Sequence, residues 1–360
     1  MSADNAPVPL RLPFSATLLA VLLTVAFVGC SSSPKTKGAA STAATPTTVS
    51  TNAPAGADSG ILATLEDAFV NVVAKVRPSV VEISTGTDLG SGIVYDDKGD
   101  IVTNAHVVGN ATAFKVSFVD GRTLDGTLVG SYVPNDIAVV KVSNANGLTP
   151  APFANSAAVK VGQISLAIGN PLGLESSVTE GVVSSTGRTV SEGGGVVLPS
   201  MIQTSAAINP GNSGGALVDL NGAVMGIPTL AAVSPDLGQA PGIGFAIPSN
   251  TVKLIADQLI NTGKVTNSGR AALGIAGSTV VNRAGQPAGV LVRSADAGKP
   301  AAAAGIKPGD VITAINGKPT ATLDDLQTVL AGLAPGQEAT VDVTHADGSK
   351  QSYKVTLATL

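Results

Sequence analysis

The stretch INPGNSGGALVDLNGAVMGI, Ile208–Ile227, decides between two folds. Its centre, Gly211-Asn212-Ser213-Gly214-Gly215, has the form G-x-S-x-G. In α/β sheet enzymes that form marks a serine on a sharp turn. A strand precedes it, a helix follows it, and an acid and then a histidine come later in the chain. Here two apolar runs follow instead, on either side of Asn221-Gly222. Asn-Gly between apolar runs is a strong hairpin signal, because both residues accept the positive φ of a tight turn. The chain has two histidines, His106 and His345, and only His345 comes after the serine, beside a further turn at Ala346-Asp347-Gly348. The helix is missing and the histidine is misplaced, so Ser213 belongs to a β setting.

The flanking segments have the same texture. From Val80 onward, short β-branched runs alternate with turn signals: VVEIST, SGIVYDDKGDIVTNAHVV, FKVSFVDGRTLDGTLVG, DIAVVKVS, QISLAIGNP, VTEGVVSST, MIQTSA and GIGFAIPS. Asp97-Lys98-Gly99 and Asp120-Gly121 are expected hairpin turns. Many short strands at regular spacing predict barrels or a sandwich rather than βαβ units. A helix is expected over Ile61–Val76, where Leu65, Phe69, Val72, Val73 and Val76 keep near-helical spacing, and Pro78 ends it. A second is expected over Thr251–Asn261. Gly193-Gly194-Gly195 lacks the Lys-Ser/Thr of a phosphate loop and is expected to be a flexible loop before the strand at Met201.

In a β setting the catalytic order to test is His, Asp, Ser. His106 stands in TNAHVV, at an expected strand end, and Asp136 in NDIAVVKV, at the mouth of a buried strand. That spacing leaves the first two in one barrel and Ser213 in a second, with the site in the cleft between them. Each residue alone has an ordinary reading, as a satisfied histidine, a turn cap or a loop serine. The three in this order carry more.

Together, TNAHVV, NDIAVVKV, AIGNPLGLESSVTEGVVSS, QTSAAINPGNSGGAL and GIGFAIPS resemble the HtrA/Deg family of trypsin-like serine proteases. The segment after Arg270 resembles the PDZ domain that this family carries. The likeness runs from about Ile61 to Leu360. It implies a mainly β fold: a chymotrypsin-like double β-barrel over residues 60–262, a linker over 263–270 and a small α+β PDZ domain over 271–360.

The chemistry follows from the residue types. A serine hydroxyl is a poor nucleophile near neutral pH, so a base must take its proton, and His106 is the candidate in this part of the chain. Asp136 would hold the other ring nitrogen and steady the imidazolium. The oxyanion hole is assigned to the loop Gly211, Asn212, Ser213, with the N–H groups of Gly211 and Ser213 aimed at the developing charge. Pro210 has no N–H and helps fix this loop. By resemblance, Ile208 and the segment Ile227, Pro228, Thr229, Leu230 line the S1 pocket, which favours a small or medium aliphatic residue before the scissile bond. Ser205 stands where the family usually has Asp, and Pro228 where it usually has Asn. The loop Leu273-Gly274-Ile275 resembles the PDZ loop that binds a peptide C-terminal carboxylate, the peptide adding as a strand to the sheet edge.

The implied function is an ATP-independent serine endopeptidase for unfolded or damaged envelope proteins, with homotrimers common among relatives. The competing reading is a non-proteolytic PDZ scaffold or chaperone with an inactive protease site. An intact triad and glycine loop favour the first. No cofactor is implied, and no His/Cys/Asp cluster has metal-ligand spacing. Lysine and arginine number 21 against 25 acidic residues, with no basic block, which argues against nucleic acid.

Residues 1–30 read as a targeting segment. Phe14–Val28 is almost wholly apolar, about the length of a secretory core and short for a membrane span. It ends in AFVGCSSS, which resembles the lipobox of bacterial lipoproteins, with Cys30 as the lipidated residue. An uncleaved membrane anchor and ordinary secretion are the alternatives, and all three place the body outside the cytoplasm. Residues 31–59, rich in Ser, Thr, Ala and Pro, cannot bury a core and read as a disordered tether. Cys30 is the chain's one cysteine, so no intrachain disulfide forms.

Overall fold

The computed structural model describes residues 58–170, 177–193, 196–209, 211–234 and 238–360. The expectations for Cys30, the targeting segment and the tether fall outside these residues, as does Pro210. Among the described residues no helix is long and apolar enough to cross a membrane.

Helix α1 (Asp58–Val76) leads, and a 3-10 turn at Arg77–Ser79 containing Pro78 ends it. Six strands then close a first barrel: β1 (Val80–Ser84), β2 (Leu89–Val94), β3 (Asp100–Thr103), β4 (Ala113–Ser117), β5 (Thr123–Tyr132) and β6 (Ile137–Val142), in the order β1-β2-β3-β6-β5-β4. A short helix, α2 (Ala105–Val108), interrupts the path after β3. The second barrel comprises β7 (Ile164–Gly169), β8 (Ser177–Gly193), β9 (Val196–Thr204), β10 (Ala216–Val218), β11 (Val224–Ser234) and β12 (Gly238–Pro248), in the order β10-β11-β12-β9-β8-β7. Helix α3 (Ser249–Thr262) follows.

The decisive stretch folds as read. β10 and β11 are antiparallel neighbours, and Asn221 and Gly222 lie between them, Gly222 at φ +76°. The expected turns at Asp97–Gly99 and Asp120-Gly121 likewise join β2 to β3 and β4 to β5.

Side-chain alternation explains why some strands are apolar throughout. In β6, Ala138, Val140 and Val142 join the cluster inside the first barrel, while Ile137 and Val139 join a second cluster shared between the barrels. β7 does the same from the other side: Ala167 points into the second barrel, while Leu166 and Ile168 join the shared cluster. A strand that covers two cores must be hydrophobic on both faces. Val72 and Val76 of α1, and Val252, Ile255, Ala256 and Leu259 of α3, complete the shared cluster. Each such valine, isoleucine or leucine, fully buried, contributes roughly 1.5–3 kcal/mol.

One expectation needs correction at its edges: Gly193 belongs to a strand and the next strand begins before Met201, while Gly194 and Gly195 lie outside the described residues. β8 runs through Gly193 and β9 resumes at Val196, the two residues being register partners. Four register shifts bend this ladder, and most of residues 184–191 in β8 are exposed. The β8 arm is mostly exposed while Val197 and Leu198 of β9 are buried, so the exposed arm lacks the alternation that marks a half-buried strand in sequence.

The C-terminal part has a small two-stranded sheet, β13 (Ala271–Ala272) with β20 (Ala358–Thr359), and a larger one ordered β14-β15-β16-β18-β19. The latter comprises β14 (Ile275–Val281), β15 (Pro287–Ala295), β16 (Val311–Ile315), β18 (Glu338–Thr344) and β19 (Lys350–Thr356), with β17 (Lys318–Pro319) paired to β16. Helices α4 (Pro300–Ala304) and α5 (Leu323–Ala331) pack on its own core of Val290, Val292, Ile312, Ile315, Leu326 and Val341, among others. α5 starts with a capping box: Asp325 N–H donates to Thr322 Oγ1 at 3.0 Å, and Thr322 N–H to Asp325 Oδ2 at 2.9 Å.

Candidate active site

His106 lies on α2, one residue into the turn that follows β3. Asp136 closes the 3-10 turn Val133–Asn135 and opens β6. Its backbone is left-handed, with φ 50° and ψ 47°, and its N–H donates to the Val133 carbonyl. That conformation turns the carboxylate back toward α2. His106 Nδ1 is 2.9 Å from Asp136 Oδ2 and 3.1 Å from Oδ1, and the His106 backbone N–H donates to Oδ1 at 2.9 Å. Asn104 Nδ2 donates to the Asp136 carbonyl at 3.0 Å. The Asp136 side chain is 3% exposed and that of His106 41%, so the pair opens to solvent only at the imidazole.

A third donor completes the carboxylate. Thr229 Oγ1, on β11 of the other barrel, donates to Asp136 Oδ2 at 2.5 Å. An Nδ1–H donating to this carboxylate would make Nε2 the basic nitrogen of the ring.

Ser213 sits between β9 and β10, in a turn whose peptides are fixed one by one. Asn212 N–H donates to the Asn209 carbonyl at 3.0 Å, Gly214 N–H to the Pro228 carbonyl at 3.1 Å and Gly215 N–H to the Asn212 carbonyl at 2.9 Å. Gly211 has φ +102° and Gly214 φ +82°. A Cβ on Gly214 would come within 2.1 Å of the Ser91 carbonyl oxygen and 2.4 Å of Thr103 Oγ1, so only glycine fits there. Among the described residues, the N–H groups of Gly211 and Ser213 donate to nothing in the protein. The Asn212 N–H is spent on Asn209, which corrects its place in the expected hole: Asn212 shapes the loop but offers no donor. The Ser213 hydroxyl donates to the Thr229 carbonyl at 3.0 Å. Thr229 therefore touches both Asp136, through its hydroxyl, and Ser213, through its carbonyl.

The expected S1 residues have separate environments. Ile208 is 5% exposed within the cluster inside the second barrel. Ile227 is wholly buried in the shared cluster, so it is a core residue and not an open pocket wall. Thr229 spends its hydroxyl on the acid, a role its sequence context did not reveal. Pro228 stands beside a register shift in the β11–β12 ladder, where a missing N–H costs little. The Leu230 side chain lies outside the described residues. Ser205 Oγ accepts the Val182 N–H at 2.9 Å and so helps tie β9 to β8.

Leu273-Gly274-Ile275 links β13 to β14, with Gly274 at φ +70°. These three residues line a cavity of about 490 Å³, with Leu323, Leu326 and Leu330 of α5 opposite them. Val133, Pro134, Val196 and Val197 of the barrels line it too, and the Arg270 guanidinium donates to the Pro134 carbonyl. His345 takes no part in the site around Ser213; its Nδ1 is 2.7 Å from Asp310 Oδ1, in the C-terminal sheet region.

Comparison with known proteins agrees with this arrangement. The trypsin-like peptidase domain matches residues 90–227 and the PDZ domain residues 270–357. The chain is 42% identical over 276 residues to the periplasmic serine endoprotease DegP of Escherichia coli K12, an alignment covering 75% of this chain and 56% of DegP. It is 40% identical over 311 residues to Protease Do-like 1, chloroplastic, of Arabidopsis thaliana, covering 82% of this chain and 67% of that protein. It thus spans little more than half the length of DegP. Among solved structures, the HtrA-type protease AlgW with decapeptide superposes with a TM-score of 0.56 at 31% identity, covering 81% of this chain and 98% of that one. The serine endoprotease from Yersinia pestis gives 0.55 at 34% identity, covering 81% and 98%. On the double barrel, the C-terminal module and these likenesses together, the chain belongs to the HtrA/Deg family of trypsin-like serine proteases, with one PDZ domain following the protease domain.

Proposed function

We propose that the chain is a serine endopeptidase that cuts unfolded or damaged proteins of the cell envelope through His106, Asp136 and Ser213. The observation that carries this reading is the buried Asp136 carboxylate, held by His106 from its own barrel and by the Thr229 hydroxyl from the other. In the reaction, the Ser213 hydroxyl leaves the Thr229 carbonyl and its oxygen attacks the scissile carbonyl carbon while His106 Nε2 takes the proton. The oxyanion of the tetrahedral intermediate accepts hydrogen bonds from Gly211 and Ser213 N–H. The imidazolium, steadied by Asp136, protonates the departing amine, leaving an acyl-enzyme. Water then adds under the same base and releases the acid product.

The buried aliphatic Ile208 and the absence of an acidic residue in 227–230 support cleavage after small or medium aliphatic residues. The cavity beside Leu273–Ile275 is the proposed groove for peptide C-termini; AlgW, a structural relative, was solved with a decapeptide. The proposed assembly is a homotrimer. The proposed location is outside the cytoplasmic membrane, held by a lipid on Cys30 or by an uncleaved N-terminal anchor; DegP and its close relatives are named periplasmic.

A resting PDZ scaffold is the second reading, and the engagement of the Ser213 hydroxyl with the Thr229 carbonyl is the observation that favours it. A fluorophosphonate probe and unfolded casein separate the two. Labelling and cleavage by the wild type, with neither in Ser213→Ala, are the expected results. An unlabelled wild type that stays silent when peptides are offered to the PDZ groove would support the scaffold.

A further inference from the structure

The loop around Ser213 is held by a residue that lies 120 positions away and belongs to the other barrel. Ser91, on β2, is wholly buried and makes four hydrogen bonds. Its hydroxyl donates to the Gly211 carbonyl at 2.5 Å and accepts the Asn170 N–H at 2.8 Å. Its backbone N–H donates to the Ser213 carbonyl at 2.9 Å, and its carbonyl accepts the Thr103 hydroxyl at 2.7 Å.

A hydroxyl has one proton. An N–H arriving from Asn170 occupies an acceptor site of the Ser91 oxygen, so the proton is directed at the Gly211 carbonyl. The peptide between Gly211 and Asn212 is then fixed at both ends, its carbonyl by Ser91 and its N–H by the Asn209 carbonyl. A planar peptide gripped at both ends has no freedom to rotate. At Gly211, which lacks a Cβ, nothing local opposes such rotation. The Gly211 N–H belongs to the preceding peptide and turns about the Gly211 N–Cα bond, whose Cα end this grip holds in place.

We infer that Ser91 is a positioning residue for the oxyanion hole: its hydroxyl, seated in the first barrel, sets the Gly211 carbonyl and so anchors the Cα from which the Gly211 N–H reaches toward the substrate oxygen. This rests on the reading of Ser213 as the nucleophile. It does not make Ser91 a catalytic residue, since the buried hydroxyl reaches neither the substrate nor the reacting atoms.

The test compares the full chain with Ser91→Ala and Ser213→Ala. Casein cleavage gives kcat and KM, and a peptide aldehyde, whose hemiacetal oxygen occupies the same hole, reports on the hole itself. Loss of one hole donor costs on the order of a hundredfold in rate, and a misaimed donor should cost about ten- to a hundredfold in kcat. KM is expected to change less than about twofold, aldehyde affinity to fall in step with kcat/KM, and binding of the product peptide to hold. If Ser91→Ala does not fold, Ser91→Cys, of nearly the same shape with a weaker donor, carries the same comparison and is expected to be intermediate. A folded variant with unchanged kcat, or a fall in kcat with aldehyde affinity intact, overturns the assignment while an inactive Ser213→Ala leaves the triad standing. An active Ser213→Ala removes both.

Discussion

Asp136 shows how much a single residue depends on distant partners. Two of its donors come from the His106 residue 30 positions earlier, and the third is Thr229, 93 positions later. A hydrogen bond to a charged group contributes roughly 1.5–3 kcal/mol, so its loss is felt in the imidazolium it supports. Thr229→Val keeps the shape and removes the donor. We expect kcat for casein to fall about tenfold with KM nearly constant, and unchanged kcat would show the hydroxyl to be a bystander. His106, Asp136 and Ser213 could be named as candidates from sequence because each sits in a short run whose turn or strand character is local, and because their order matched one arrangement. Ser91, Asn104 and Thr229 could not be given their roles. Each is an ordinary polar residue in an ordinary strand or loop, and its role exists only once the barrels have brought distant segments together.

Elements were legible wherever one face is buried. The β10–β11 hairpin was readable from Asn221-Gly222 between apolar runs, and α1 from its spacing. The far end of the β8–β9 hairpin was not, because most of its β8 arm is exposed and the glycines at 193–195 have the composition of a loop. The β18–β19 hairpin carries a different device. Its His345 faces Asp310 at 2.7 Å, Gln351 at 3.3 Å and the Tyr353 hydroxyl at 3.4 Å, with Asp347 also nearby. The hydrogen bond to Asp310, helped by Gln351, raises the His345 pKa above its usual value, and partial desolvation opposes the shift. A pKa raised on folding means that the folded chain holds the proton more tightly than the unfolded one. The stabilisation is therefore full below about 6.5, the ordinary histidine value, and is lost as pH climbs through the raised one. Thermal midpoints measured from pH 5.5 to 8.5 should fall more steeply in the wild type than in His345→Gln. Parallel curves would show that the contact contributes nothing.

At the scale of the molecule, the shared cluster is what joins the barrels. Ile168 is wholly buried within it, alongside Ile137 and Val139 from the first barrel. Truncating a buried isoleucine to alanine costs about 2–5 kcal/mol. Because both barrels lean on the same cluster, Ile168→Ala should shift the urea unfolding of the two barrels together, as one transition at a lower midpoint. Separate transitions would mean that each barrel stands alone.

The same division has a consequence for the life of the molecule. His106 and Asp136 are made on the first barrel, while Ser213 arrives with the second, more than a third of the barrel sequence later. A nascent chain that has completed only its first half carries a base and no nucleophile. One that has both halves but has not docked them lacks the Thr229 link between them and the Ser91 grip on the loop. Under the proposed mechanism such a chain is harmless to its neighbours and to itself, and it becomes a protease only when its last large interface closes. Under that mechanism, docking of the two barrels sets the moment at which cutting begins.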